Sequence, residues 1–130
     1  MAERCPKAIY LGNTILKGWR LIFKSVATIE KQTGKDVPVG LFEISDQCEK
    51  ALDAYEEYPK LYDKYKIDVK LHGTLVTAMT YIMAANYGIS PPSAKYFDVI
   101  SEGYKNCGLD LNFLFEAKKY SIRADSGEGY

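Results

Sequence analysis

The sequence has few of the residues on which metal sites and disulfide frameworks depend. It contains one histidine and three cysteines, Cys5, Cys48 and Cys107, which are widely separated along the chain. An odd and widely spaced set is not typical of a disulfide scaffold or of a four-ligand zinc site. We therefore predict no metal site, no disulfide framework and a location in the reducing cytoplasm. The cysteines are expected to fill space in the fold.

The sequence also lacks an excess of charge of either sign, since 17 lysine and arginine residues balance 17 aspartate and glutamate residues. A neutral balance offers no electrostatic attraction for nucleic acid, so nucleic-acid binding is not expected. The longest apolar run, residues 75–85, is too short and too interrupted by threonine and tyrosine to span a membrane. No signal peptide is visible at the start, and we predict no membrane association.

The 130 residues are enough for one domain with a hydrophobic core, and 47% of them are apolar. We place this domain at residues 1–120. Residues 121–130 are polar and contain glycine, which predicts a flexible C-terminal tail. Eleven tyrosines are the most unusual part of the composition. Their amphipathic rings suit the walls of a polar pocket, although many are expected in the core or at its rim.

Four segments have the apolar and β-branched composition of strands. They are residues 15–23, 37–44, 61–71 and 74–83. A turn at Gly34-Lys35-Asp36 precedes the second segment, and His72-Gly73 predicts a hairpin between the last two. The fourth segment is mostly apolar on both faces, which predicts a strand that is covered on both sides.

Three helices are predicted from side chains suited to N-caps, at Ser45, Ser93 and Asp110. The first helix carries a stripe at helical spacing that we expect to be buried, made of Cys48, Leu52 and Tyr55, and it ends at Pro59. Strands and helices mix without regular alternation. The sequence therefore predicts a small α+β fold, a curled sheet flanked by helices.

One segment, residues 52–59, combines features of a catalytic site. It places Glu56 between Tyr55 and Tyr58, at the end of the first helix and near Pro59. A carboxyl group held against aromatic rings loses hydration, which raises its pKa toward neutrality. A group with such a pKa can act as a general acid and base. Glutamates at helix ends are more often solvated surface groups, so both roles stay open at this point.

Taken in order, the segments of this chain resemble the gamma-glutamylcyclotransferase-like family. The resemblance extends to about residue 117 and is carried by Arg4-Cys5-Pro6, residues 16–23, 37–44, 52–59 and 81–83, Pro92-Ser93 with Tyr96, Gly103-Tyr104 and Gly108-Leu109. It implies a small mixed β-barrel with helices outside and a pocket at one end. It also implies an enzyme that converts small gamma-glutamyl amides to 5-oxoproline and a free amine or amino acid, without a metal or organic cofactor.

The resemblance also assigns residues to the site. Glu56 matches the family's catalytic glutamate, which follows the tyrosine of an Asp-x-Tyr-Glu pattern. It would take a proton from the glutamyl amine and return it to the departing nitrogen. Tyr96 matches a tyrosine at the family's pocket, and we expect Tyr81, Tyr55 and Tyr58 to bind substrate beside it. Packing with the hydroxyl at the surface is an equally good interpretation for each tyrosine.

One part of the family pattern has no counterpart here. Relatives begin with a strand and a Tyr-Gly-Ser-Asn loop before Arg-Cys-Pro, whereas this tripeptide occupies residues 4–6. That loop supplies backbone amides to the substrate, and losing one such donor costs about 10²–10³ in rate. An absent strand would leave a sheet edge open and predicts a homodimer through it. The alternative function is that of a shortened, inactive relative which binds a small molecule or a protein partner.

Overall fold

Two β-hairpins and three helices make up the described part of the chain. The computed structural model describes residue 5 and residues 7–56, 61–83 and 87–125. Its elements, in order, are β1 (Ile9–Lys24), β2 (Val26–Glu43), α1 (Asp46–Tyr55), β3 (Tyr62–Leu71), β4 (Thr74–Met83), α2 (Ala94–Asn106) and α3 (Asn112–Asp125). The four predicted strands and three predicted helices are thus confirmed, although β1 and β2 are longer than predicted.

The first hairpin reverses direction at a single residue. Ser25 lies between the paired residues Lys24 and Val26 and has a φ of 66°. The Ser25 N–H donates to the Ser90 carbonyl at 3.0 Å, and the Ser90 N–H donates to the Phe23 carbonyl at 3.1 Å. These bonds attach the reversal to the segment before α2. Because serine rarely adopts a positive φ, the sequence did not predict a reversal here.

The first hairpin also contains a wide irregularity. Lys17 pairs with Asp36 and Trp19 pairs with Lys31, so residues 32–35 of β2 stand opposite Gly18 alone. We refer to residues 32–35 as the β2 bulge. We predicted that a turn at Gly34-Lys35-Asp36 precedes a strand. That prediction is wrong, because β2 runs through these residues: the chain bulges out there and returns to the same ladder.

The second hairpin confirms its predicted turn. His72 and Gly73 connect β3 to β4 with φ values of 51° and 81°, the positive values that a tight two-residue hairpin loop requires. Along β4 the burial increases from the turn toward the other end. Leu75 is 63% exposed, whereas Met83 is 8% exposed. The prediction of a strand covered on both sides is therefore wrong for the first half of β4, which extends beyond the packed layers.

The hairpins contact each other through individual hydrogen bonds. The Thr14 hydroxyl donates to the Lys70 carbonyl at 2.5 Å, and the Met83 N–H donates to the buried Thr28 hydroxyl at 2.9 Å. Each hairpin otherwise pairs only within itself, as a two-stranded antiparallel sheet, over the residues described. The α+β class is confirmed. A closed barrel is not confirmed, because no continuous ladder joins the two described sheets.

The main core lies where α2 and α3 cover the end of β1. Phe23 and Leu114 are fully buried there, and they pack with Phe97, Tyr104 and Ala117. The ring centroids of Phe23 and Phe97 are 6.1 Å apart. None of the helices in the described ranges is long and apolar enough to cross a membrane.

Side-chain caps define the helix starts as predicted. The hydroxyl of Ser45 accepts the Cys48 N–H at 3.1 Å, and that of Ser93 accepts the Tyr96 N–H at 3.2 Å. The carboxylate of Asp110 accepts the Asn112 N–H at 2.9 Å, just before α3. This helix continues to Asp125, so the predicted start of the tail falls inside it, and residues 126–130 lie outside the described residues.

The first helix departs from its predicted buried stripe at one position. Leu52 is 8% exposed, but Tyr55 is 55% exposed. Three residues rotate a helix by about 300°, so Tyr55 lies at the edge of the stripe that Leu52 buries. The described helix ends at Tyr55 with Glu56 as its C-cap. Pro59, the predicted terminator, lies outside the described residues.

Two of the three cysteines form a disulfide, which the sequence analysis did not expect. Cys5 and Cys48 are 43 residues apart, and their Cα atoms are 5.5 Å apart. The pairing of Ile9 with Glu43 brings the segment just before β1 close to the start of α1. The spacing of the cysteines along the sequence does not reveal this proximity. The prediction of no disulfide is therefore wrong for this pair. Cys107 has a free thiol, and burial raises its pKa.

Candidate active site around Glu56

Glu56 lies at the C-terminal end of α1 and is half-buried. Its N–H donates to the Leu52 carbonyl at 2.8 Å, which continues the helical bonding to this residue. Leu52 is itself buried against the hairpins. The backbone that carries the Glu56 carboxylate is therefore held by α1.

Three tyrosines from three different elements lie close enough to this carboxylate for its charge to act on them. They are Tyr62 at the start of β3, Tyr81 in β4 and Tyr96 in α2. Burial is the main cause that raises the pKa of each phenol, and the negative charge of Glu56 raises all three further. At neutral pH the phenols are consequently uncharged and able to donate hydrogen bonds.

Two of these phenols bond to the backbone of a single residue of β2, Ala27. The Tyr96 hydroxyl accepts the Ala27 N–H at 3.0 Å, while the Tyr62 hydroxyl donates to the Ala27 carbonyl at 3.4 Å. Tyr62 uses its proton in this contact. Tyr96 uses only an acceptor position, so its own hydroxyl proton can still be donated to a further acceptor.

The third phenol belongs to a charged network beside Glu56. The Tyr81 hydroxyl donates to one carboxylate oxygen of Asp53 at 2.5 Å, and the Lys64 ammonium contacts the other at 3.0 Å. The same ammonium lies 2.8 Å from a carboxylate oxygen of Glu49. The Tyr81 bond is the main cause that lowers the pKa of Asp53, with a further contribution from Lys64, although partial burial opposes both. The network fastens α1 to the second hairpin.

A cavity of about 380 Å³ lies beside this network. Glu49 and Leu52 of α1 line it together with Tyr81 and mostly apolar residues of all four strands. Glu56 is not part of the lining that the described residues form. Tyr81 therefore lines this cavity and also lies within reach of the charge of Glu56.

A protein-family model matches most of this chain. The model describes gamma-glutamyl cyclotransferases of the AIG2-like type and matches residues 1–104. The chain belongs to this family. Among curated proteins, none matches it.

Solved structures of other proteins have the same fold as this chain. A human protein described as uncharacterized matches with a TM-score of 0.78 and 25% sequence identity, over 90% of this chain and 77% of that one. A gamma-glutamyl cyclotransferase matches with a TM-score of 0.77 and 24% identity, again over 90% of this chain and 77% of that one. The likeness to the second structure shows that the two proteins share a fold, that is, the same arrangement of helices and strands.

The fold brings three of the tyrosines selected from the sequence close to Glu56. The charge of Glu56 acts on Tyr81 of β4 and Tyr96 of α2. Tyr55 precedes Glu56 on α1 and is exposed, but it is close enough to raise the pKa of Tyr96. Tyr58 lies outside the described residues. Their roles in substrate binding stay predictions.

Sequence reasoning missed Tyr62, Asp53 and Lys64. The spacing of Glu49 and Asp53, four residues apart on α1, marks one helical face with two carboxylates and could have indicated a basic partner. Nothing local identified Lys64 as that partner, because it comes from β3. The described residues contain no group of three or more histidine, cysteine, aspartate or glutamate side chains that could hold a metal ion.

Proposed function

We propose that this chain cyclises a gamma-glutamyl amide to 5-oxoproline and releases an amine or amino acid, with Glu56 as general acid and base. The observation that carries this proposal is the half-buried carboxylate of Glu56 among the neutral phenols of Tyr62, Tyr81 and Tyr96. A carboxylate in such surroundings can exchange a proton with a bound substrate, while the phenols hold neighbouring polar groups.

In the proposed first step, the carboxylate of Glu56 takes a proton from the ammonium group of the substrate. The freed amine then attacks the side-chain carbonyl carbon of the same glutamyl group. Because nucleophile and carbonyl belong to one molecule, ring closure requires no encounter of two reactants.

In the second step, the new carbon–nitrogen bond closes the five-membered ring and the old amide bond breaks. Glu56 returns its proton to the departing nitrogen as that bond breaks. The ring nitrogen still carries one extra proton and gives it to the freed amine, which leaves as an ammonium ion. Negative charge grows on the carbonyl oxygen between these events, and a donor placed at that oxygen stabilises it. We propose Tyr96 as such a donor, since its hydroxyl accepts from Ala27 and retains its own proton.

The experiment measures 5-oxoproline release from gamma-glutamyl amides by mass spectrometry, with the chain and its Glu56→Gln variant. Loss of general acid–base catalysis predicts a rate about 10²–10⁴-fold lower for the variant. Glu102→Gln changes an exposed glutamate of α2 and serves as the matched control. Circular dichroism checks that both variants are folded.

Two outcomes would contradict the proposal. An undiminished rate in Glu56→Gln would remove this carboxylate from the mechanism. Binding of gamma-glutamyl compounds by the unmodified chain without any release of 5-oxoproline would support the alternative, an inactive relative that binds a small molecule.

A further inference from the structure

A second cavity, of about 490 Å³, lies between the first hairpin and α3. Its lining includes none of the tyrosines around Glu56. The whole of the helix that forms one wall also lies beyond the part of the chain that the family model matches, since α3 begins at Asn112 and the match ends at residue 104. This cavity is therefore separate from the proposed reaction.

One face of α3 forms a continuous wall of the cavity. Phe113, Glu116, Tyr120 and Arg123 all line it, together with the buried Ala117. Their spacings of three, four and three residues return to the same side of a helix with each turn. The wall consequently presents aromatic, acidic and basic groups side by side.

The β2 bulge forms the opposite rim. Gly34 and Lys35 belong to the bulge, Asp36 follows it, and all three line the cavity. No atom lies within 4 Å of the position that a side chain on Gly34 would occupy, so the space above this residue is open. Bulges recur beside functional sites because they redirect side chains out of the regular ladder. Here the bulge directs Lys35 and Asp36 toward α3.

Arg20 lines a third side of the cavity, where its contacts fix its own side chain and that of Tyr120. Its guanidinium forms an ion pair with Glu30 and donates to the Tyr120 hydroxyl at 3.1 Å. It also lies 4.4 Å from the centroid of the Tyr120 ring. With these contacts already made, neither side chain must be ordered when a ligand enters, which reduces the entropic cost of binding.

The charges that line the cavity are balanced. Three are basic and three are acidic: Arg20, Lys35 and Arg123, and Asp36, Asp110 and Glu116. The apolar surface comes from Leu21, Phe113 and Ala117. We propose that this cavity binds a small zwitterion with a large apolar side chain, that is, an aromatic α-amino acid or a dipeptide that contains one. The volume lies within the range of about 300–1,000 Å³ usual for small-molecule sites.

Ligands with a single charge fit this lining less well. A simple anion would approach three carboxylates, and a simple cation would approach three basic groups. A ligand with both charges can place its carboxylate near the basic groups and its ammonium near the acidic groups. Its side chain can then cover the rings of Phe113 and Tyr120.

The first experiment titrates the isotope-labelled chain with L-phenylalanine and follows the amide signals by NMR. We expect saturable shifts at residues 34–36 and 112–123. Phenylacetate and phenethylamine, which each carry one of the two charges, should bind about tenfold more weakly. No saturable shift with L-phenylalanine, or equal affinity for either analogue, would overturn the proposal.

The second experiment repeats the titration with Lys35→Gln and Glu116→Gln, which change exposed residues of the lining. Each should weaken L-phenylalanine binding about tenfold, as expected for the loss of one charged partner. The matched controls are Lys105→Gln and Glu102→Gln, both exposed on α2. Unchanged affinity in both cavity variants would overturn the proposal. Glu56→Gln should bind normally, so this test does not depend on the proposed reaction.

Discussion

At the scale of single residues, Asp53 decides how the candidate active site is assembled. It lies one helical turn before Glu56 and contacts two residues of the second hairpin, the Tyr81 hydroxyl with one oxygen and the Lys64 ammonium with the other. The Tyr81 bond joins β4 to the helix that carries Glu56, and Tyr81 also lines the cavity of about 380 Å³. We infer that Asp53 positions Glu56 through the backbone of α1.

The lowered pKa of Asp53 leads to a prediction about pH and stability. The Tyr81 hydrogen bond and the Lys64 ion pair favour the ionised carboxylate in the folded state, so its pKa falls below the ordinary 3.8. The resulting stabilisation is fully present above pH 3.8 and is lost as the pH falls through the lower folded-state value. Asp53→Asn should therefore lower Tm at neutral pH, and this difference should shrink in strong acid.

Thermal unfolding followed by circular dichroism between neutral and strongly acidic pH measures this effect. Asp98→Asn changes an exposed carboxylate of α2 and is the matched control. A Tm difference between Asp53→Asn and the unmodified chain that stayed constant down to strong acid would show that the charge of Asp53 is not responsible.

At the scale of elements, the sequence predicted those segments whose own residues define them. The caps at Ser45 and Ser93 and the turn at His72-Gly73 depend on neighbouring atoms, and all three are confirmed. Residues 26–36 of β2 were missed because only the first four are apolar or β-branched, and the remaining seven are polar or glycine. Residues 26–31 and Asp36 are held in the ladder by pairing with β1, including the contact between Arg20 and Glu30.

The candidate site shows the same limit. Glu56 could be selected from its own segment, because its neighbours in sequence include Tyr55 and the end of a helix. Tyr62 and Tyr96 lie near it from other elements, and both bond to the backbone of Ala27, which is 35 and 69 positions away from them in the sequence. Such contacts follow from the packing of the hairpins and α2, which sequence spacing does not record.

The contact between the hairpins leads to a prediction about one buried hydroxyl. Thr28 of β2 is 5% exposed and accepts the Met83 N–H of β4 at 2.9 Å. Thr28→Val keeps the shape but removes the acceptor, which leaves a buried N–H without its partner. The free energy of unfolding should fall by about 1–3 kcal/mol. Urea denaturation measures this change.

An exposed threonine provides the control for that experiment. Thr33→Val changes a residue at the surface of the β2 bulge, and the effect should stay within about 0.5 kcal/mol. If both variants had the same stability, the bond from Met83 to Thr28 would not contribute to holding the hairpins together.

At the scale of the whole molecule, the two hairpins are separate sheets, so their relative position depends on the helices and on a few connections. The free edges of such sheets can pair with another chain, and exposed apolar side chains at the start of β1, such as Ile9 and Leu11, would support it. The predicted homodimer stays a prediction. A covalent cross-link, the disulfide between Cys5 and Cys48, joins residues that are distant in the sequence.

This disulfide is expected to stabilise the molecule through the unfolded state. It closes a loop between positions 43 residues apart, and loop entropy for that length corresponds to about 4 kcal/mol. Reduction should lower the free energy of unfolding by up to this amount in urea denaturation, as should Cys48→Ser. Cys107→Ser is the control, because that thiol is free and half-buried, and reductant should destabilise this variant as much as the unmodified chain. Equal unfolding midpoints with and without reductant would show that the bond contributes nothing to stability.

The disulfide should also affect the helix that carries Glu56, because Cys48 lies on α1. If the bond contributes to stability, its reduction should speed hydrogen exchange of the backbone amides in α1.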